Sequence, residues 1–116
     1  DFHVWESLPE KVSTPEFSLK VEFEHARQRV WLRLEGRLHG SQAERFWSQV
    51  GEAMAQRRTK LVFDLKKLQV SEARSLKAMR EKFAGCRDTV RVVLPKLAHA
   101  HPEVLILARI FEQYRA

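Results

Sequence analysis

The residues that could do chemistry in this chain are five histidines, one cysteine and one carboxylate that follows an apolar run. No histidine pairs with a cysteine or carboxylate at the spacing of a structural zinc site. His99 and His101 stand two residues apart and could hold a metal only on an extended segment. Cys86 follows Gly85 after a predicted helix, so nothing indicates an activated thiolate. The sequence therefore predicts neither a metal nor a cofactor.

Asp64 is the carboxylate best placed for catalysis, because it follows the apolar run 61–63, a predicted strand. A carboxylate in that place also caps or orders the turn that follows, and we favour this structural role. The four glycines are scattered, so the sequence holds no phosphate-binding loop, dinucleotide fingerprint or nucleophile elbow. The sequence therefore predicts a protein that is not an enzyme.

The composition is typical of one soluble globular domain. The chain has 116 residues, 44% hydrophobic and 31% charged, which is enough for one core and not for two. No apolar run is long enough to span a bilayer, and no signal peptide is visible. The single cysteine excludes an internal disulfide and fits a reducing compartment, so we expect the cytoplasm. Because the chain starts at Asp1, we expect a processed piece or one domain of a larger protein.

The net charge of +6 admits nucleic acid, an anionic membrane surface or an acidic protein as partner. The basic residues are interleaved with glutamate and aspartate and form no lysine- or arginine-rich tract. A solvated surface explains this pattern better than a nucleic-acid footprint does. Binding of nucleic acid or an anionic ligand through a basic surface is therefore the alternative hypothesis.

Residues 1–16 are predicted to be an arm or linker. Pro9 and Pro15 interrupt them, and no hydrophobic period runs through them. Trp5 is too apolar for a free tail, so we expect the first residues of the arm to dock on a protein surface. The domain itself is predicted to span 17–116.

Apolar and polar residues alternate over 17–24 and again over 30–35, which predicts two half-buried strands. A turn at 25–28 joins them into an antiparallel hairpin, which we expect to end at Gly36. Trp31 lies on the polar side of the second strand. It marks an interface there, or the arm or a helix covers it.

The rest of the chain alternates between helix and strand, which implies a mixed sheet covered by helices. The second predicted helix begins at residue 71, close to the end of a buried strand. Ser71 can cap this helix, and Glu72 lies in its positive first turn. Binding sites of open α/β sheets usually lie at such a junction. The predicted elements are a helix from 41, a strand at 61–63 that the chain leaves over 64–70, a helix from 71 that stops at 85, a strand at 90–94 and a helix from 102.

Three short motifs carry a resemblance to a known family. Segment 34–38 reads Leu-Glu-Gly-Arg-Leu, segment 62–65 reads Val-Phe-Asp-Leu, and segment 72–76 reads Glu-Ala-Arg-Ser-Leu. In this order they resemble the STAS domain (sulfate transporter and anti-sigma factor antagonist), whose third motif is Asp-Ser-Ser/Thr-Gly before a leucine. The resemblance covers roughly 17–114. It implies an α/β fold in which an N-terminal antiparallel hairpin and then βα units build a mixed sheet covered by helices.

The resemblance places Arg74 at the position that is phosphorylated in anti-sigma factor antagonists, so a kinase switch there is chemically impossible. Ser75, or Ser71, is the possible substitute if the motif has slipped by one residue. Arg74 is either a plain solvated side chain or a fixed positive contact for an acidic or phosphorylated partner. In the second case the basic patch comprises Lys66, Lys67, Arg74 and Lys77.

The resemblance implies a non-catalytic regulatory domain of bacterial, cytoplasmic signalling that binds a protein partner through the loop and helix start at 70–76. An accessory STAS subunit or domain of a membrane transporter is a further alternative. A homodimer and a neighbouring domain in a longer chain both stay open. The predicted partner-binding residues are Lys67, Ser71, Glu72, Arg74, Ser75 and Lys77.

Overall fold

A computed structural model describes residues 3–56, 58–70, 81, 89–94 and 109. Their four strands form one sheet in the order β1-β2-β3-β4, with β1 antiparallel to β2 and the other neighbours parallel. The mixed sheet with an N-terminal hairpin is therefore confirmed. The helices are α1 (His3–Glu6), α2 (Leu8–Val12) and α3 (Gly40–Gln56), and the strands are β1 (Phe17–Glu24), β2 (Arg29–Leu38), β3 (Lys60–Val70) and β4 (Val90–Val93).

β1 and β2 form the antiparallel hairpin that the alternating pattern predicts. Their register is unbroken over all eight residues of β1. The apolar side chains of both strands, except Trp31, pack into the core, and the polar ones lie with Trp31 on the opposite side of the sheet, called the outer face below. The turn at 25–28 closes with Gln28 at a φ of +51°, in the left-handed region.

Gly36 lies inside β2, which continues to Leu38, so the prediction that it ends the strand is wrong. Its φ is +101°. The backbone N–H of Arg37 donates to the carbonyl oxygen of Glu16 over 2.9 Å. A Cβ at Gly36 would lie 2.1 Å from that same oxygen. Only glycine allows β2 to approach the start of β1 so closely.

β3 is eleven residues long, so the prediction that the chain leaves the strand over 64–70 is also wrong. Arg33 of β2 pairs with Asp64, but the next pair joins Glu35 to Lys67. One residue of β2 therefore lies opposite two residues of β3, which is a β-bulge.

The bulge changes which side chains reach each face of β3. Leu65 and Leu68 are both buried although they stand three residues apart. In a regular strand, two residues lie on the same face only when they are separated by an even number of positions. Lys66 and Lys67, between them, are both exposed. The irregularity thus places two neighbouring lysines on the outer face without removing a leucine from the core.

α3 confirms the helix predicted from 41, and it begins one residue earlier, at Gly40. Gly40 occupies its first position with a φ of +56°. The apolar face of α3 packs against the sheet and the N-terminal helices, with Met54 partly buried at its margin. The buried residues of α3 are Ala43, Phe46, Trp47, Val50 and Ala53.

The segment predicted to be an arm contains the two short helices α1 and α2. Each spans five residues or fewer, too short to produce a visible period, and Pro9 occupies the first turn of α2. Trp5, Leu8 and Val12 are buried in the main core. Residues 3–12 therefore pack against the domain.

The strand predicted at 90–94 is β4, which pairs with β3 in parallel. Val90 and Val92 face the core, and Arg91 is exposed. The helices predicted from 71 and from 102 lie outside the described residues, except for Glu81 and Arg109, which are both helical. None of the described helices is long and apolar enough to cross a membrane.

Candidate partner-binding surface

β3 leads directly into the predicted binding loop, because its last residue is Val70. Of the predicted partner-binding residues, the structure describes Lys67 alone, exposed on the outer face beside Glu35. The others lie outside the described residues: Ser71, Glu72, Arg74, Ser75 and Lys77. The site can therefore be built from β3 and the strands beside it.

The bulge in β3 creates a pocket on the outer face with a volume of about 160 Å³. Four of the seven lining residues are basic and two are acidic, so a positive charge dominates its rim. We call it the bulge pocket. Its lining residues are Lys20, Arg33, Leu34, Glu35, Asp64, Lys66 and Lys67.

Asp64 is the buried carboxylate at the floor of the bulge pocket, with 9% of its side chain exposed. Its Oδ1 accepts the backbone N–H of Lys66 at 3.1 Å, and its Oδ2 accepts Nη1 of Arg33 at 2.9 Å. The Lys66 ammonium lies 3.8 Å from Oδ2. These contacts agree with the expected ordering role, because they hold the backbone that follows Asp64 in the bulged conformation.

Arg33 links three strands across the outer face. Its guanidinium donates to Glu22 on β1 over 2.9 Å and to Asp64 on β3 over 2.9 Å. The hydrogen bond and charge of Glu22, followed by those of Asp64, raise the pKa of Arg33. Arg33 is thus committed to holding the sheet together, and its charge is largely neutralised.

Trp31 is half-buried on the outer face, between two arginines of its own strand. The guanidinium carbons of Arg29 and Arg33 lie 5.3 Å and 4.9 Å from its ring centre, within cation–π distance. Its indole N–H donates to Glu24. The two flanking arginines therefore cover part of the tryptophan that the sequence placed on the polar side.

Lys20 and Lys67 are the free cations of the bulge pocket. Neither forms a salt bridge with any carboxylate in the part of the chain that the structure describes, and both are exposed. Glu35 also forms no ion pair with any residue that the structure describes. A partner that approaches the pocket meets unsatisfied lysines at the rim and a satisfied carboxylate at the floor, which favours a negatively charged group.

Acidification is expected to weaken the outer face through Glu24. Hydrogen bonds from Trp31 and then from Arg29 lower the pKa of Glu24 below its ordinary value of 4.5. Because the folded-state pKa is the lower one, its stabilising contribution is complete above that ordinary value and is lost as the pH falls through the folded-state pKa. Urea unfolding of the wild type and of Glu24→Gln should show a stability gap at about pH 7 that shrinks toward about pH 3. A gap that stays constant with pH would contradict this role.

The described residues contain no group of three histidine, cysteine, aspartate or glutamate side chains that could hold a metal ion. His39 instead bonds to Glu16 through Nε2 at 3.0 Å, and His25 packs edge-on against Phe23. Cys86, His99 and His101 lie outside the described residues.

The hairpin, the parallel strands β3 and β4 and the helix α3 together define the α/β fold of a STAS-like domain. The chain is 19% identical to an antisigma-factor antagonist, a STAS domain from Rhodobacter sphaeroides, with a TM-score of 0.55 over 78% of this chain and 97% of that one. It is 13% identical to the anti-sigma factor antagonist SpoIIAA in its unphosphorylated form, with a TM-score of 0.54 over 85% of this chain and 86% of that one. The fold and the resemblance predicted from the sequence are confirmed. No protein-family model matches the sequence, and neither does any curated protein.

Proposed function

We propose that this chain is a non-catalytic regulatory domain of the bacterial cytoplasm that binds a protein partner. The contact surface comprises the segment 70–76 and the bulge pocket beside it. The fold is that of two anti-sigma factor antagonists, whose name describes action on another protein. The single observation that carries the proposal is the bulge in β3, which sets two lysines beside the predicted binding segment.

The two lysines are close to the segment along the chain. Lys67 precedes Val70 by three strand residues, which corresponds to about 10 Å. A partner that contacts 70–76 therefore also reaches the rim of the bulge pocket. Since Lys67 has no ion pair among the described residues and the pocket carries excess positive charge, we propose an acidic or phosphorylated segment as the bound part of the partner.

The proposed interaction is constitutive. The resemblance places Arg74 at the position that is phosphorylated in anti-sigma factor antagonists. The guanidinium of an arginine keeps its positive charge at every physiological pH. A phosphate in that place would repel an acidic partner, whereas an arginine attracts one. The domain would then act as a permanent binder in place of a kinase-controlled switch, with Ser71, Glu72, Ser75 and Lys77 completing the contact.

Charge reversal at the surface is expected to weaken partner binding about tenfold, because each substitution turns an attractive contact into a repulsive one. The test is affinity capture from the source cell with wild-type protein, followed by calorimetric titration of the purified partner against Lys67→Glu and Arg74→Glu. Lys11→Glu is the matched control, since Lys11 is exposed on α2 and outside the pocket. If both surface variants bind as tightly as the control does, the proposed surface is not used.

The alternatives make different predictions in the same experiment. Binding of nucleic acid through the basic surface would weaken steeply between low and moderate salt, because phosphate contacts release condensed counterions. A transporter subunit would bring down a membrane protein from detergent extracts. Capture of a soluble acidic protein, with no salt-sensitive binding of duplex DNA, is the result that the proposal expects.

A further inference from the structure

We propose that two copies of this chain associate through β1, with the outer edges of the two β1 strands paired antiparallel about a two-fold axis at Val21. The proposal goes beyond partner binding at 70–76 and uses the outer edge of β1, which shares Lys20 with the bulge pocket. It starts from the order of the strands, in which β1 is the first and β2 is its neighbour. Within the described ranges, no strand pairs with the outer edge of β1.

β1 carries three charged residues, at 20, 22 and 24, but lacks the other devices that usually protect an edge strand. It is eight residues long, contains no proline, and runs in unbroken register with β2. Natural proteins discourage pairing at such an edge with bulges, prolines, several lysines or a very short strand. A long, regular edge is a template for another strand, and a second copy of β1 is the one partner that is always present.

The orientation of the backbone shows which residues offer hydrogen bonds at this edge. The Glu16 carbonyl accepts a bond from β2, so the neighbouring residue, Phe17, directs its N–H and C=O away from β2. Those groups of Phe17 bond to Thr14, which closes the edge at the start of the strand. Val21 has the same orientation as Phe17, because it lies four residues further along a period of two. Its N–H and C=O therefore point outward from the sheet.

Charge favours one of the three registers centred on the middle of β1. Side chains opposite each other in an antiparallel pair lie on the same face, so a two-fold axis must pass through a residue of β1. An axis at Lys20 places two lysines opposite each other, and an axis at Glu22 does the same with two glutamates. An axis at Val21 places each Lys20 opposite Glu22 of the second copy, which forms two favourable cross-strand pairs.

The middle of β1 is accessible for this contact. Lys20 and Glu22 are exposed, with 63% of the Glu22 side chain open to solvent, and Val21 is half-buried. Pairing there would join the two sheets into one of eight strands. A contact limited to one strand from each copy buries less than the roughly 1,000 Å² of a stable interface, so the dimer is weak and depends on concentration.

The test is sedimentation velocity of the chain over about 10 µM to 1 mM protein, which covers the range expected for a weak dimer. Lys20→Glu and Glu22→Lys should each weaken dimerisation about tenfold, because symmetry makes every single substitution create two like-charge pairs. The double variant exchanges both charges and should restore the dimer. It also leaves Arg33 beside a carboxylate, since residue 20 pairs with Arg33 across the hairpin. Lys11→Glu makes the same charge change as Lys20→Glu, but at an exposed position on α2 and not on the strand itself.

Three outcomes overturn the proposal: a monomer at every concentration, a dimer equally strong in all variants, or a double variant that does not recover. Circular dichroism confirms that each variant is folded before its association is compared. Partner capture by Glu22→Lys separates this proposal from the proposed function, which requires neither Glu22 nor a dimer, whereas Lys20 lines the bulge pocket and is left out of that comparison.

Discussion

Replacing Gly36 by alanine is expected to destabilise the domain by about 2–5 kcal/mol. The backbone at Gly36 has a φ of +101°, which an L-residue adopts only with strain. The added Cβ would also lie 2.1 Å from the carbonyl oxygen of Glu16. That oxygen belongs to the backbone and already accepts a hydrogen bond from Arg37, so the clash is relieved only by separating the two strands. Urea unfolding followed by circular dichroism measures the loss.

Gly40→Ala is the matched control for that substitution. Gly40 also has a positive φ, +56°, but a Cβ built there meets nothing within 4 Å. Its substitution should therefore cost only the conformational strain, roughly 1–2 kcal/mol. If the two alanine variants lose the same stability, the close approach to Glu16 contributes nothing and strain alone explains the glycine.

Gly36 also shows how far a sequence motif can be interpreted. The segment 34–38 was one of the three motifs that together carry the resemblance, and the fold confirms that resemblance. The physical reason for the glycine was not visible, because it depends on Glu16, twenty residues away, lying against β2. A local pattern placed the glycine at the end of the strand, whereas the tertiary contact keeps it inside.

The extent of β3 was missed for a related reason. Short apolar runs predict strands well, and 61–63 was correctly assigned, but Lys66 and Lys67 interrupt the alternation. The signal that could have extended the strand is the spacing of Leu65 and Leu68, which suits a strand that carries one extra residue. A bulge shifts the hydrophobic period by one, so strict alternation fails at the place where the candidate site forms.

The candidate site was only partly predictable. The resemblance, through the position it gives Arg74, grouped Lys66 and Lys67 with Arg74 and Lys77 in one basic patch. Arg33 and Glu22 were not identified, since they come from other strands and reach the site only through the register of the sheet. Arg33 is 11 positions from Glu22 and 31 positions from Asp64 in the sequence. Contacts between residues so far apart cannot be recognised from a local sequence pattern.

Substituting Trp5 by alanine is expected to destabilise the domain by about 3–5 kcal/mol, because it removes the largest fully buried side chain of the N-terminal helices. Trp5 has no exposed surface, and its indole N–H donates to the hydroxyl of Thr59 over 3.1 Å. Thr59 immediately precedes β3, so one side chain connects α1 to the central part of the sheet. Thermal and urea unfolding measure the effect.

Two further variants separate packing from the hydrogen bond. Trp5→Phe keeps an aromatic ring in the core but loses the donor to Thr59, so we expect a smaller loss of about 1–2 kcal/mol. Glu6→Ala, on an exposed position of the same helix, should stay within about 0.5 kcal/mol of the wild type. If Trp5→Ala unfolds at the same urea concentration as Glu6→Ala, residues 3–12 contribute nothing to the stability of the domain. They would then be the arm or linker that the absence of a hydrophobic period predicted.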